Sequence, residues 1–97
     1  MSEKTKTLVE KEKKDDLEYY LKREIIETKS SIDGYNFHMK ISRREVKELT
    51  AKLKTVKDKQ PIKTQITMLK NQLKTQSLGL IQYKIELLEY QARLRKL

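Results

Sequence analysis

The sequence predicts an all-α protein, an antiparallel coiled-coil helical hairpin with a first helix over about residues 3–58 and a second over about 61–96. Three observations predict this fold. The 97 residues include two glycines and a single proline, Pro61, so little interrupts a helix. Apolar residues recur at alternating spacings of three and four on both sides of Pro61. The two apolar patterns also match each other when the chain is folded back near residues 57–61.

The second helix carries the clearest heptad pattern, and only Gln76 interrupts it. Pro61 suits the first turn of a helix, where its missing N–H costs nothing. The pattern consists of Ile62, Ile66, Leu69, Leu73, Leu80, Tyr83, Leu87, Tyr90, Leu94 and Leu97.

The first helix carries the same pattern, which is looser near its start. Its regular part consists of Ile32, Tyr35, Met39, Ser42, Val46, Leu49, Leu53 and Val56, preceded by Leu17, Leu21, Ile25 and Thr28. The shift between the two parts resembles a stutter in a coiled coil. Residues 17–97 are therefore predicted to form a single hairpin domain. Residues 1–16, which are mostly charged, are predicted to overhang it and to fray.

Folding the chain at the tip, near residues 57–61, predicts which residues face each other across the seam between the helices. Ser42 falls opposite Gln76, and this polar layer either fixes the register or is tolerated near solvent. His38 is expected beside the seam opposite Gly79, where the missing side chain leaves room for its ring. The apolar and aromatic pairs are Val56–Ile62, Leu53–Ile66, Leu49–Leu69, Val46–Leu73, Met39–Leu80, Tyr35–Tyr83, Ile32–Leu87, Thr28–Tyr90, Ile25–Leu94 and Leu21–Leu97.

An alternative is a three-helix bundle with a break near Asp33-Gly34. Ser30, Ser31 and Asp33 are residue types that begin helices, and Asp-Gly is a turn signal. Residues 5–30 would then fold back as a third helix. The heptad pattern passes through Gly34 without a change of phase, which favours one continuous helix.

Positive charge is concentrated at the predicted tip. Residues 40–74 hold eleven Lys and Arg against three acidic residues, while the whole chain has a net charge of +9. Such a surface is typical of phosphate binding, although an acidic protein partner and a solvated lysine face are alternatives. On one flank of the seam, away from the tip, an ordinary pairing of opposite charges is expected, because Glu24 should lie near Arg93. The candidate residues for binding phosphate or an acidic partner are Lys40, Arg43, Arg44, Lys47, Lys54, Lys57, Lys63, Lys70 and Lys74.

A second set of apolar residues lies off the seam and needs cover. Self-association into a four-helix or larger bundle would bury it, as would a folded-back third helix or a different protein partner. The candidate interface residues are Leu78, Ile81, Ile85 and Leu88 on the second helix, with Ile26, Phe37 and Ile41 on the first.

The sequence has few residues of the types that serve in catalysis or metal binding. There is no cysteine, one histidine and no Gly-rich phosphate loop, so neither an enzyme, a metal site nor a cofactor is expected. No apolar stretch resembles a signal peptide or a membrane span, which predicts a soluble, cytoplasmic protein. The expected function is that of a non-enzymatic coiled-coil interaction module that forms homo-oligomers, with no small-molecule substrate. The alternative is a sequence-nonspecific nucleic-acid-binding accessory protein of the phage or bacterial type.

Overall fold

The predicted helical hairpin is confirmed. The computed structural model describes the backbone from Glu3 to Leu97 and the side chains from Glu10 onward. Helix α1 spans Glu3–Lys52 and helix α2 spans Gln60–Arg95. The two helices pack side by side into a rod measuring 83 × 16 × 15 Å. No strand occurs within the part of the chain that the structure describes.

The seam between the helices follows the predicted heptad positions. From Leu21 to Leu94, every residue predicted to lie on the seam is buried or half-buried. Leu21 is completely buried, and Met39 and Leu80 form buried layers further along. Leu17 and Leu97, at the two ends of the predicted pattern, are the exceptions. Leu17 keeps 44% of its surface exposed, and Leu97, which lies past the end of α2, keeps 36%. The apolar seam is therefore the main source of stability for the rod.

The predicted register is confirmed near the middle of the hairpin. The ring centroids of Tyr35 and Tyr83 are 5.4 Å apart, with the rings tilted by 49°. Nearer the tip, Leu49 and Leu69 line one groove together.

The prediction that the His38 ring occupies the room left by Gly79 is wrong. The Tyr35 ring fills the space beside Gly79, since a Cβ built on that glycine would lie 3.1 Å from the Tyr35 hydroxyl oxygen. His38 is exposed, and its ring lies edge-on to Phe37 with a centroid distance of 5.8 Å. Tyr35 reaches Gly79 because it occupies a seam position, whereas His38 lies beside the seam.

Helix α1 continues through Ser30–Gly34, so the three-helix alternative is wrong. The backbone of Gly34 keeps a negative φ, as a right-handed helix requires. The hydroxyl of Ser31 donates a hydrogen bond of 3.1 Å to the carbonyl of Glu27 one turn earlier. That bond uses the hydroxyl inside the helix, so it does not cap a new helix start.

Helix α1 ends at Lys52, about six residues before its predicted end, and residues 53–59 form the connection. Just after this end the chain makes a tighter turn, in which the Thr55 N–H donates to the Lys52 carbonyl three residues back, at 3.1 Å. The Asp58 carboxylate then accepts the backbone N–H of Gln60 at 3.2 Å, and Pro61 is the second residue of α2. The seven residues 53–59 carry the chain across the ~8–10 Å between the helix axes, a connection of ordinary length for packed helices.

The described side chains of the N-terminal segment, residues 10–16, are all exposed. Just after it, Glu18 pairs with Lys22 at 2.9 Å, and the Lys22 ammonium holds the pKa of the Glu18 carboxyl below its usual range. Met1, Ser2 and the side chains of residues 3–9 lie outside the described part of the structure. The fraying of residues 1–16 stays a prediction.

Candidate interaction surfaces

Four aliphatic side chains form a continuous exposed line on α2, on the face turned away from α1. We call Leu78, Ile81, Ile85 and Leu88 the outer stripe. Between 52% and 69% of the surface of each residue is exposed. Three of them line a shallow groove of about 500 Å³, together with Gln82, Glu86 and Glu89. The outer stripe thus has the spacing of a second seam but no partner helix within the hairpin.

The apolar candidates on α1 are exposed as well, but they form no common surface with the outer stripe. Ile26, Phe37 and Ile41 are exposed, and none of them lines the groove beside the outer stripe. Phe37 packs against His38 on its own helix. The structure therefore divides the predicted interface into a compact line on α2 and separate residues on α1.

The basic candidates are all exposed, and three of them converge. Arg43 of α1 and Lys70 and Lys74 of α2 line a groove of about 430 Å³, which we call the basic groove. Met39, Leu73, Ser77 and Leu78 complete it, so one end of the basic groove touches the outer stripe. The remaining six candidates are exposed but do not line this groove, namely Lys40, Arg44, Lys47, Lys54, Lys57 and Lys63.

Two of the three acidic residues near the tip lie in a different groove. Glu45 and Glu48 line a groove of about 420 Å³ with Lys52 and the exposed Met68. Arg43 and Glu45 are two residues apart in the same helix, which turns their side chains ~200° from each other. The ion pairs found among the described residues, Glu18–Lys22 and Arg23–Glu27, both lie outside the tip. The cations of the basic groove are therefore free to meet an external anion.

Near the base of the hairpin, the surroundings of Tyr90 shift its titration. Partial burial raises the pKa of its hydroxyl, and the Glu24 carboxylate, Tyr20 and Glu86 raise it further, against a lowering by Arg93. Glu24 and Arg93 thus lie in one neighbourhood, as predicted. Among the described residues, however, they do not form an ion pair.

The polar layer of the seam is incompletely satisfied. Ser42 is buried and Gln76 is half-buried, but Gln76 Oε1 has no hydrogen-bond partner. It is the single buried side-chain oxygen or nitrogen in this condition within the described residues. Whether this layer fixes the register stays a prediction.

The described residues contain no cluster of three or more His, Asp or Glu side chains that could hold a metal ion. Neither helix, over its described length, has a segment apolar enough to cross a membrane. In comparisons with known proteins, the chain matches no protein-family model, and no curated protein or solved structure shows significant similarity to it.

Sequence reasoning missed some of the residues that form these surfaces. It named neither Met68 nor the pair Glu45 and Glu48, which form the acidic counterpart of the basic groove. The spacing of three between the two glutamates, on the flank opposite Arg43, was the signal that could have found them.

Proposed function

We propose that this protein is a non-enzymatic coiled-coil module that self-associates through the outer stripe. The observation that supports this proposal is the exposure of four large aliphatic side chains at seam spacing on one helix face. Completing their burial is worth about 1–2 kcal/mol for each side chain. Two copies contribute eight such side chains, against an association cost of about 4–15 kcal/mol. We therefore expect a reversible dimer with a micromolar or weaker dissociation constant.

Sedimentation velocity over a concentration series tests this proposal. Wild-type protein should shift from monomer to dimer as its concentration rises. The double variant Ile81→Asp with Leu88→Asp should stay monomeric and remain as helical as wild type, because neither residue lies on the seam. The control is Thr64→Asp with Thr67→Asp, which adds the same charge at exposed positions nearer the tip. A wild type that stays monomeric at millimolar concentration rules out self-association.

A second function is favoured by the basic groove, and we propose that it binds the phosphates of nucleic acid without sequence preference. Arg43, Lys70 and Lys74 come together from both helices with no acidic residue lining the groove. Because phosphate contacts carry no sequence information directly, such a surface would bind many sequences with similar affinity. Binding would weaken steeply with salt as counterions return to the nucleic acid.

Fluorescence anisotropy with labelled duplex and single-stranded DNA, across a salt series, tests this second function. The variant Arg43→Glu, Lys70→Glu, Lys74→Glu should lose binding. The control, Lys11→Glu, Lys13→Glu, Lys14→Glu, has the same net charge but keeps the groove intact. Equal loss in both variants means that overall charge, and not the groove, attracts DNA. No binding of wild type at low salt removes the nucleic-acid function altogether.

A further inference from the structure

We infer that two copies pair in antiparallel orientation along the outer stripe, about a two-fold axis level with Tyr83. This inference rests on the proposed self-association and specifies the partner and its geometry. The partner is a second copy of this chain because the stripe is symmetric about its own centre.

That symmetry is visible in the order of the exposed residues. The stripe runs Leu, Ile, Ile, Leu at spacings of three, four and three. In an antiparallel pair centred on Tyr83, Leu78 faces Leu88 of the second copy and Ile81 faces Ile85. Such an isologous contact uses the same patch on both copies and closes on itself. Every aliphatic side chain of the outer stripe then contacts an aliphatic side chain of the second copy.

The residues at the two ends of the stripe separate the antiparallel from the parallel arrangement. The same helix line continues to Lys74 before the stripe and to Ala92 and Arg95 after it. In a parallel pair, Lys74 would face Lys74 and Arg95 would face Arg95, which places like charges at both ends of the interface. In the antiparallel pair Lys74 faces Ala92, and Arg95 faces Asn71. Like-charge contacts of this kind select against the wrong orientation.

An attractive contact also exists in the antiparallel arrangement alone. Glu89 lines the groove beside the outer stripe. With the axis at Tyr83, Lys74 of one copy lies within one helical turn of the level of Glu89 in the other. In the parallel pair these two residues are ~22 Å apart along the helix axis, at ~1.5 Å per residue.

The charge of the whole rod acts in the same direction. Residues 40–74 carry eleven basic and three acidic residues, so each tip is strongly positive. A parallel pair would hold the two tips side by side, with the α2 axes ~8–10 Å apart. An antiparallel pair centred on Tyr83 places the start of α2 in one copy ~70 Å from its equivalent in the other, at ~1.5 Å per residue. That distance is many times the ~8 Å screening length at physiological salt.

A spin label at one position in each copy measures the relative orientation of the two copies directly. Because the sequence contains no cysteine, an introduced cysteine is the single labelling site. Thr64 is exposed and lies 19 residues before Tyr83. Electron–electron double resonance on labelled Thr64→Cys should give a distance of ~57 Å between the two copies, at ~1.5 Å per residue. A distance below ~25 Å, which is roughly the axis separation plus two label arms, means a parallel pair and overturns the inference.

The control in this experiment is Thr64→Cys combined with Ile81→Asp and Leu88→Asp, which should show no defined distance. Sedimentation of the labelled protein at the same concentration separates the two ways of failing. A dimer with a short distance leaves self-association standing and overturns the antiparallel orientation. A monomer overturns both.

Charge exchange gives an independent readout. Lys74→Glu should weaken the dimer severalfold, because it places a carboxylate near Glu89 of the second copy. Adding Glu89→Lys should restore the dimer to within about twofold of wild type. In a parallel pair the second substitution would restore nothing, since the two positions lie far apart.

Discussion

The phenol of Tyr35 lies directly over Gly79, on the opposite helix. A Cβ added at Gly79 would lie 3.1 Å from the Tyr35 hydroxyl oxygen and 3.3 Å from its Cε1. At Gly34, the other glycine, an added Cβ would have nothing within 4 Å. The two glycines lie in the interiors of helices, yet one makes room for a ring and the other does not.

Alanine at these two positions should therefore have different effects. Gly34→Ala should raise the free energy of unfolding by about 0.5–1 kcal/mol, the usual gain of alanine over glycine inside a helix. Gly79→Ala should gain less or lose stability, because the Tyr35 ring must shift to make room for the new methyl group. Urea unfolding followed by circular dichroism, at one fixed protein concentration, measures both. An equal gain in the two variants means that the ring shifts at no cost.

Gln76 should be replaceable by leucine with a gain in stability. Its buried Oε1 lacks a hydrogen-bond partner, which costs about 1–3 kcal/mol for a fully buried group and less at this half-buried position. Gln76→Leu should raise the free energy of unfolding by about 1 kcal/mol. The control is Gln72→Leu, an exposed position off the seam and away from the outer stripe, which should change stability little. Loss of stability in Gln76→Leu indicates that the amide has a partner in solution.

The same variant tests whether the polar layer fixes the register. Nuclear Overhauser effects between the Tyr35 and Tyr83 rings report the native register, since the ring centroids are 5.4 Å apart. If the Ser42–Gln76 layer is needed for register, Gln76→Leu should weaken these signals or split them into two sets. A single unchanged set means that the apolar layers and the connection fix the register by themselves.

Leu21 should be the most sensitive position at the base of the hairpin. It is completely buried, so Leu21→Ala should lower the free energy of unfolding by about 2–5 kcal/mol. Leu17 is one turn earlier and 44% exposed, and the same change there should cost much less. Chemical denaturation of the two alanine variants gives the comparison. Similar losses would mean that the seam reaches Leu17, at the border of the N-terminal overhang.

Alkaline pH should destabilise the base of the hairpin through Tyr90. Its folded-state pKa is raised above the ordinary value of 10.0, mainly by burial. The protonated hydroxyl is thus favoured in the folded protein. The resulting stability is complete below pH 10 and is lost as the pH rises through the raised pKa.

Tyr90→Phe should remove part of this alkaline loss, which chemical denaturation of the two proteins below and above pH 10 measures. Measurements at neutral pH, where the Tyr90 hydroxyl stays protonated, are the control for any effect of the substitution on packing. An alkaline loss of stability that is equal in Tyr90→Phe and wild type would contradict the raised pKa of Tyr90.

The seam was predictable from sequence because it depends on one regular property, the spacing of apolar residues. That spacing placed Leu21, Met39 and Leu80 correctly, and it also identified the outer stripe as exposed. The end of α1 was not predictable in the same way. Residues 53–58 have helical composition, and the helix stops because the chain must cross to α2, which is a tertiary constraint.

The basic groove also depends on tertiary structure, so the sequence predicted it only in part. Clustering of charge along the sequence identified the tip. It could not tell which cations meet across the two helices, because Arg43 joins Lys70 and Lys74 only once the register is fixed. His38 was misplaced for a related reason. The heptad pattern locates a residue on a helix face, but it does not show which of two neighbouring rings fills the space beside Gly79. The Tyr35 ring fills it.

The seam has one further consequence, because its positions recur every seven residues from Ile32 to Leu49 on α1 and from Ile62 to Leu94 on α2. Deleting one heptad from each helix at the same level would keep every remaining residue on its face. It would also bring the tip and the base about 10 Å closer together, at ~1.5 Å per residue. The length of the hairpin can therefore change in whole heptads by paired insertion or deletion, while the surfaces at its two ends stay as they are.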